Sequence, residues 1–132
     1  MDALDAVLAE AEILVLMLPL TPATRGLMNE VRLRKMRRGA KLINVARGPV
    51  VDEPALIAAL TDGHLGGATL DVFVEEPLPP ESPFWTMPNV LVTPHRASNP
   101  NAAAAAKIVA ESIRRMSRGE PPLYAVDPKR GY

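Results

Sequence analysis

Charged and titratable residues stand at or just beyond the ends of apolar runs. Arg47 follows Leu42–Ala46, Asp71 lies in Gly66–Val72 with Glu75 and Glu76 just beyond, and His95 follows Val90–Thr93 and Pro94. A guanidinium is a planar fork of donors, matched to the carboxylate of an α-keto acid. An imidazole titrates near neutrality and can give or take a proton. A carboxylate beside it favours the protonated ring. Brought together, these groups suit reduction of a 2-oxo acid, whose carbonyl oxygen must gain a proton. Taken singly, each has a plainer reading. Arg47 equally suits a structural arginine bonding loop carbonyls, and His95 a turn histidine. One of Glu75 and Glu76 is expected to be a solvated loop charge, and Asp71 could form a turn.

A parallel sheet is the scaffold that would unite them. Ile13–Leu18 (ILVLML) is apolar at every position, as a strand buried on both faces would be. Lys41–Ala46, Gly66–Val72 and Val90–Thr93 read as three further strands. Helices are expected between them. One is capped by Asn29 and runs to Arg38 before Gly39; another is capped by Asp52, with Pro54 in its first turn and Gly63 as its stop. A short helix is expected over residues 2–10. A last helix is expected from Asn99-Pro100 to about Arg118, with the apolar stripe Ala102, Ala105, Ala106, Val109, Ile113 and Met116. Alternating strands and helices predict an α/β domain with a parallel sheet. In such sheets ligands bind at the carboxyl ends of the strands, where Arg47, the acidic residues and His95 all fall.

Composition narrows the function classes. The chain has 132 residues, the size of one domain, with 15 basic and 15 acidic side chains. That balance gives no general attraction to nucleic acid or to anionic lipid. The basic run Arg32, Arg34, Lys35, Arg37 and Arg38 sits at a helix C-terminus, where cations complement the dipole, and no aromatic residues interleave it for base stacking. There is no cysteine, and the histidines number two, His64 and His95; no metal site is expected. The longest apolar stretch is too short to span a bilayer. The acidic start MDALDAVLAEAE lacks the basic region of a signal peptide, so a cytoplasmic protein is expected. His64 reads as an exposed loop histidine, and Phe84-Trp85 as the anchor of a proline-rich loop.

The segments NVARG (44–48), LDVFVEEP (70–77), TPH (93–95) and LPLTPATRGLMN (18–29) resemble the D-isomer-specific 2-hydroxyacid dehydrogenases. The ending GEPPLYAVDPKRGY is similar to the glyoxylate/hydroxypyruvate reductase A branch of that family. The resemblance implies part of a Rossmann-type doubly wound parallel sheet of about four strands, plus a C-terminal helix. Residues 1–98 would be the nicotinamide half of an NAD(P)-binding domain, and 99–132 a helix and tail returning to a substrate domain. It implies NAD or NADP as cofactor and a small 2-oxo or 2-hydroxy acid as substrate. Arg47 would clamp the substrate's carboxylate, His95 would be the acid–base group, and Glu76 its partner. Asp71 would bond the nicotinamide carboxamide. Pro19, Thr24 and the backbone of Ala46 and Arg47 would line the cofactor cleft, with His95 beside it. Full-length members would be homodimers.

Two departures stand out. The family carries a small or branched apolar residue after the catalytic histidine, where this chain has Arg96. No G-x-G-x-x-G can be built from the eight glycines, so the turn that brings backbone N–H groups to a pyrophosphate is not in this sequence. Two other readings are therefore kept: a catalytically incompetent fragment, and an NAD(H)-sensing binding module of the same fold. Ile13–Leu18, carrying no charge, is expected to be an open sheet edge that invites pairing with another chain.

Overall fold

Four short strands form one wholly parallel sheet in the order β1-β2-β3-β4: β1 Ile13–Leu16, β2 Lys41–Asn44, β3 Gly67–Leu70 and β4 Val90–Val92. The structure, a computed structural model, describes residues 3–98 and 101–129. The expected start of the last helix at Asn99-Pro100 lies outside them. The chain divides into two compact units, one ending at Ala97 and the other beginning at Ser98.

The first unit carries helices α1 (Ala3–Glu10), α2 (Glu30–Lys35) and α3 (Glu53–Thr61). Their starts follow from their caps. The Asn29 side chain accepts from the Arg32 amide at 3.0 Å, and that of Asp52 from the Ala55 amide at 3.2 Å. Each satisfies an N–H with no partner inside its helix. Helix α2 ends three residues short of the expected Arg38. Met36 turns to extended backbone (ψ 146°) and is only 2% exposed. Burying its side chain wins over one more helical turn.

Alternate strand residues face opposite sides of the sheet. Leu14, Leu16, Leu42, Ala68 and Leu70 join Leu8, Leu33, Leu56 and Leu60 of the three helices in one core. The opposite face is different. Val15, Ile43, Thr69 and Leu91 lie side by side across the register, yet Val15 is 47% and Leu91 59% exposed. β1 is an edge strand, as expected for this uncharged run, and it is half open rather than buried on both faces. Strands end one or two residues earlier than the apolar runs suggest, because the chain turns to build the loops above them.

In the second unit α4 (Ala102–Met116) is capped by Asn101, whose side chain accepts from the Ala103 and Ala104 amides. None of its residues is buried, and Val109, Ile113 and Met116 of its apolar stripe are exposed. No helix among the described residues is long and apolar enough to cross a membrane.

Candidate active site

The end of β2 is stapled by a residue to which the sequence assigns no role. Asn44, 1% exposed, accepts from the Ala46 amide at 3.0 Å and donates to the Arg47 carbonyl at 3.2 Å. A buried amide side chain must find such partners, and here they fold residues 45–47 into a tight exit from the sheet. The Arg47 side chain emerges exposed and donates to the Ala46 carbonyl at 2.7 Å. The only outward sign of Asn44's task was a polar residue at the buried parity of an apolar strand.

Gly48 then lets two loops touch. A Cβ there would sit 1.9 Å from the backbone carbon of Phe73. Only hydrogen fits, so the Arg47 loop rests directly on the segment after β3. That segment is held in turn by carboxylates. Glu53 of α3 accepts from the Val74 amide at 2.7 Å, and Glu76 Oε1 from the Phe73 amide at 2.9 Å. The Glu76-Pro77 peptide bond is cis. Phe84 packs its ring on Phe73, with centroids 5.9 Å apart, and anchors the proline-rich loop as expected.

At the end of β4 the chain makes an unusual turn. His95 has φ +51°, in the left-handed region that few side chains adopt. Its Nδ1 lies 2.8 Å from Glu76 Oε2. The hydrogen bond to His95 and that from the Phe73 amide, reinforced by the nearby His95 and Arg47 charges, hold the Glu76 carboxyl below its ordinary range. Glu76 is therefore an anion at neutral pH and can only accept. Nδ1 must then carry the proton, whichever charge state the ring has.

Asp71 sits beneath this turn, 3% exposed. Burial raises its carboxyl, but the Thr93 hydroxyl and the Arg96 and Ala97 amides outweigh it and leave the group below its ordinary value.

A cleft of about 690 Å³ opens beside the pair, lined among others by Asp71, Phe73, Glu76, Trp85, Thr93 and His95. Glu76 and His95 are thus brought into contact, with Asp71 at the same wall. Arg47 is near enough for its charge to act on Glu76, but it does not line this cleft, and its guanidinium makes no hydrogen bond to either partner among the described residues. Pro19 and Thr24 belong to another loop. There the Thr24 hydroxyl donates to the Pro19 carbonyl at 2.7 Å and accepts from the Thr21 amide. Backbone bonds from Gly26 to Pro49 and from Met28 to Val50 lace that loop to the one carrying Arg47. Glu75 is exposed. Trp85, expected as a loop anchor, is instead a half-exposed wall of the cleft, its indole N–H held by the Pro79 carbonyl at 2.9 Å. His64 is half-buried, its ring 3.1 Å from the Leu33 carbonyl, rather than exposed as expected. No group of three or more potential metal-ligating His, Cys, Asp or Glu residues occurs among the described residues.

Comparison with known proteins shows the family of the chain. Residues 1–97 match the family described as D-isomer specific 2-hydroxyacid dehydrogenase, NAD binding domain. Among solved structures, a D-isomer specific 2-hydroxyacid dehydrogenase from Xanthobacter autotrophicus Py2, in complex with NADPH and MES, is 63% identical with a TM-score of 0.96. All of this chain aligns with 55% of that one. An NADPH-dependent glyoxylate/hydroxypyruvate reductase from Sinorhizobium meliloti, in complex with NADP and sulfate, is 44% identical (TM-score 0.92), with 100% of this chain and 44% of that one covered. A probable 2-hydroxyacid dehydrogenase from Rhizobium etli CFN 42, in complex with NADP, HEPES and L(+)-tartaric acid, is 41% identical (TM-score 0.88), with the same coverage of 100% and 44%. The chain spans about half the length of these relatives.

Proposed function

Because the chain belongs to the D-isomer specific 2-hydroxyacid dehydrogenases through their NAD binding domain, we propose that it supplies the nicotinamide side of a reductase. The reaction is reduction of a 2-oxo acid, glyoxylate or hydroxypyruvate, to the D-2-hydroxy acid with NADH or NADPH. The observation that carries this reading is the Glu76–His95 pair, 2.8 Å apart at the carboxyl edge of the sheet beside a cleft.

The residues fit the nicotinamide end of such a cofactor. Asp71 lines the cleft, and its three bonds leave one acceptor position on Oδ2 for a carboxamide N–H. Pro19, Thr24, Ala46 and Arg47 would flank it, although the Ala46 amide and the Thr24 hydroxyl are already engaged. A bound reduced nicotinamide supplies hydride to the carbonyl carbon. Arg47 turns its guanidinium from the Ala46 carbonyl onto the substrate's carboxylate. His95 gives the proton to the developing alkoxide, and Glu76 holds the imidazolium in place until then. In the reverse direction His95 takes the proton back. The rest of the whole protein, including its homodimeric assembly and cytoplasmic setting, is expected to follow the family.

The test is to follow reduced nicotinamide with glyoxylate and with hydroxypyruvate at saturating cofactor. Turnover lost in His95→Ala supports the reading. No turnover in a folded sample would favour a second reading, suggested by the missing glycine-rich turn, in which these residues carry the chemistry but cannot hold the cofactor.

A further inference from the structure

The left-handed backbone at His95 needs an explanation. A non-glycine residue there is strained and persists only when its surroundings over-determine it. The surroundings are on one carboxylate. Asp71 Oδ1 accepts from the Thr93 hydroxyl and, at 2.9 Å, from the Arg96 amide; Oδ2 accepts from the Ala97 amide at 2.8 Å. The Asp71 carbonyl also accepts from the His95 amide at 2.9 Å. One buried aspartate therefore holds residues 93, 95, 96 and 97. Extended backbone at 95 would swing the two amides that follow off the carboxylate and carry the ring away from Glu76.

We propose that Asp71 is a positioning residue: it fixes the 93–97 turn so that His95 meets Glu76 through Nδ1 and leaves Nε2 as the ring's open nitrogen. This role is separate from any contact to a nicotinamide. It gives His95 its catalytic value only if His95 is the acid–base group, so the proposal rests on the functional reading above.

The experiment needs no ligand and uses the whole chain. With two histidines, a ¹⁵N-histidine spectrum is simple, and His64 serves as internal control. At pH 9, well above the ordinary imidazole range, wild-type His95 is expected as the Nδ1–H tautomer. Asp71→Asn offers an amide N–H where the Ala97 amide needs an acceptor, so it opens the turn. The expected result is loss of the Nδ1–H signature at His95 with His64 unchanged. Retention of that signature in a folded Asp71→Asn chain overturns the proposal.

Amide exchange gives a second reading should Asp71→Asn fail to fold. The Arg96 and Ala97 amides are expected to be protected in the wild type, although both residues are exposed, and to lose protection in Thr93→Val. Exchange at unstructured rates in the wild type, or no change in Thr93→Val, overturns it. Failure of turnover with the tautomer effect intact would count against the functional reading alone.

Discussion

Glu76 is gripped at both oxygens, by the Phe73 amide and by His95, and this sets how the site answers to acid. Its carboxyl lies below the ordinary value in the folded chain. A depressed carboxylate contributes stability that is fully present above its unfolded pKa and is lost as pH falls through the folded one. Asp71 behaves in the same direction. The pair should therefore survive neutral and mildly acid conditions and break only below the usual glutamate range, about 4.3. A carboxyl ¹³C titration of Glu76 should show a midpoint below that range; a midpoint at or above it would remove the His95 contact from the account. Arg47 makes the complementary case. It is exposed and its one described bond is to its neighbour's carbonyl, so Arg47→Ala should change folding stability by no more than about 0.5 kcal/mol.

The elements show which parts of this structure could be read from the chain and which could not. Asn29 and Asp52 mark helix starts because capping is local chemistry, and both were legible. The strand-end rule likewise placed Arg47, Glu76 and His95 on one edge, and the sheet puts them there. Asn44, Gly48 and the clamp at Asp71 were not legible, because their partners lie across loops rather than at fixed spacing. Gly48 is the sharpest instance. Its hydrogen is what allows the β2 exit to rest on Phe73 and Val74. Gly48→Ala drives a methyl into backbone that cannot rotate aside, and should cost about 3 kcal/mol or more. Denaturant melts would show it, and an unperturbed midpoint would mean the loops are not truly in contact. The same distinction explains Trp85: its apolar character suggested a loop anchor, with a substrate-side contact the lesser reading, while its place on the cleft wall depends on how the proline-rich loop folds back.

At the scale of the whole chain, the described residues leave open apolar surface that a folded domain usually covers. β1 offers an unpaired edge, and Ile13, Val15 and Leu91 lie uncovered on the adjoining sheet face. Such edges recruit other strands. The chain is expected to self-associate on concentration, and Val15→Lys should raise its monomer fraction. Light scattering from a clean, concentrated wild-type monomer would contradict this. These 132 residues contain no G-x-G-x-x-G turn. Charge-assisted bonds to a pyrophosphate contribute about 1.5–3 kcal/mol each. Without them, NADPH and reduced nicotinamide mononucleotide should bind within about tenfold of each other. A much larger preference for the dinucleotide would place a pyrophosphate grip somewhere in these residues.

The central claim is that this sheet edge receives a 2-oxo acid. Trp85 is the single tryptophan of the chain and a wall of the cleft, so its fluorescence reports on the site directly. Oxalate, which has the shape of glyoxylate but cannot accept hydride, titrated into the reduced-nicotinamide complex should give a saturable change, weakened about 10- to 100-fold in Arg47→Ala through loss of a charge-assisted pair. No saturable change in the folded wild type, or the same affinity in Arg47→Ala, would contradict the account.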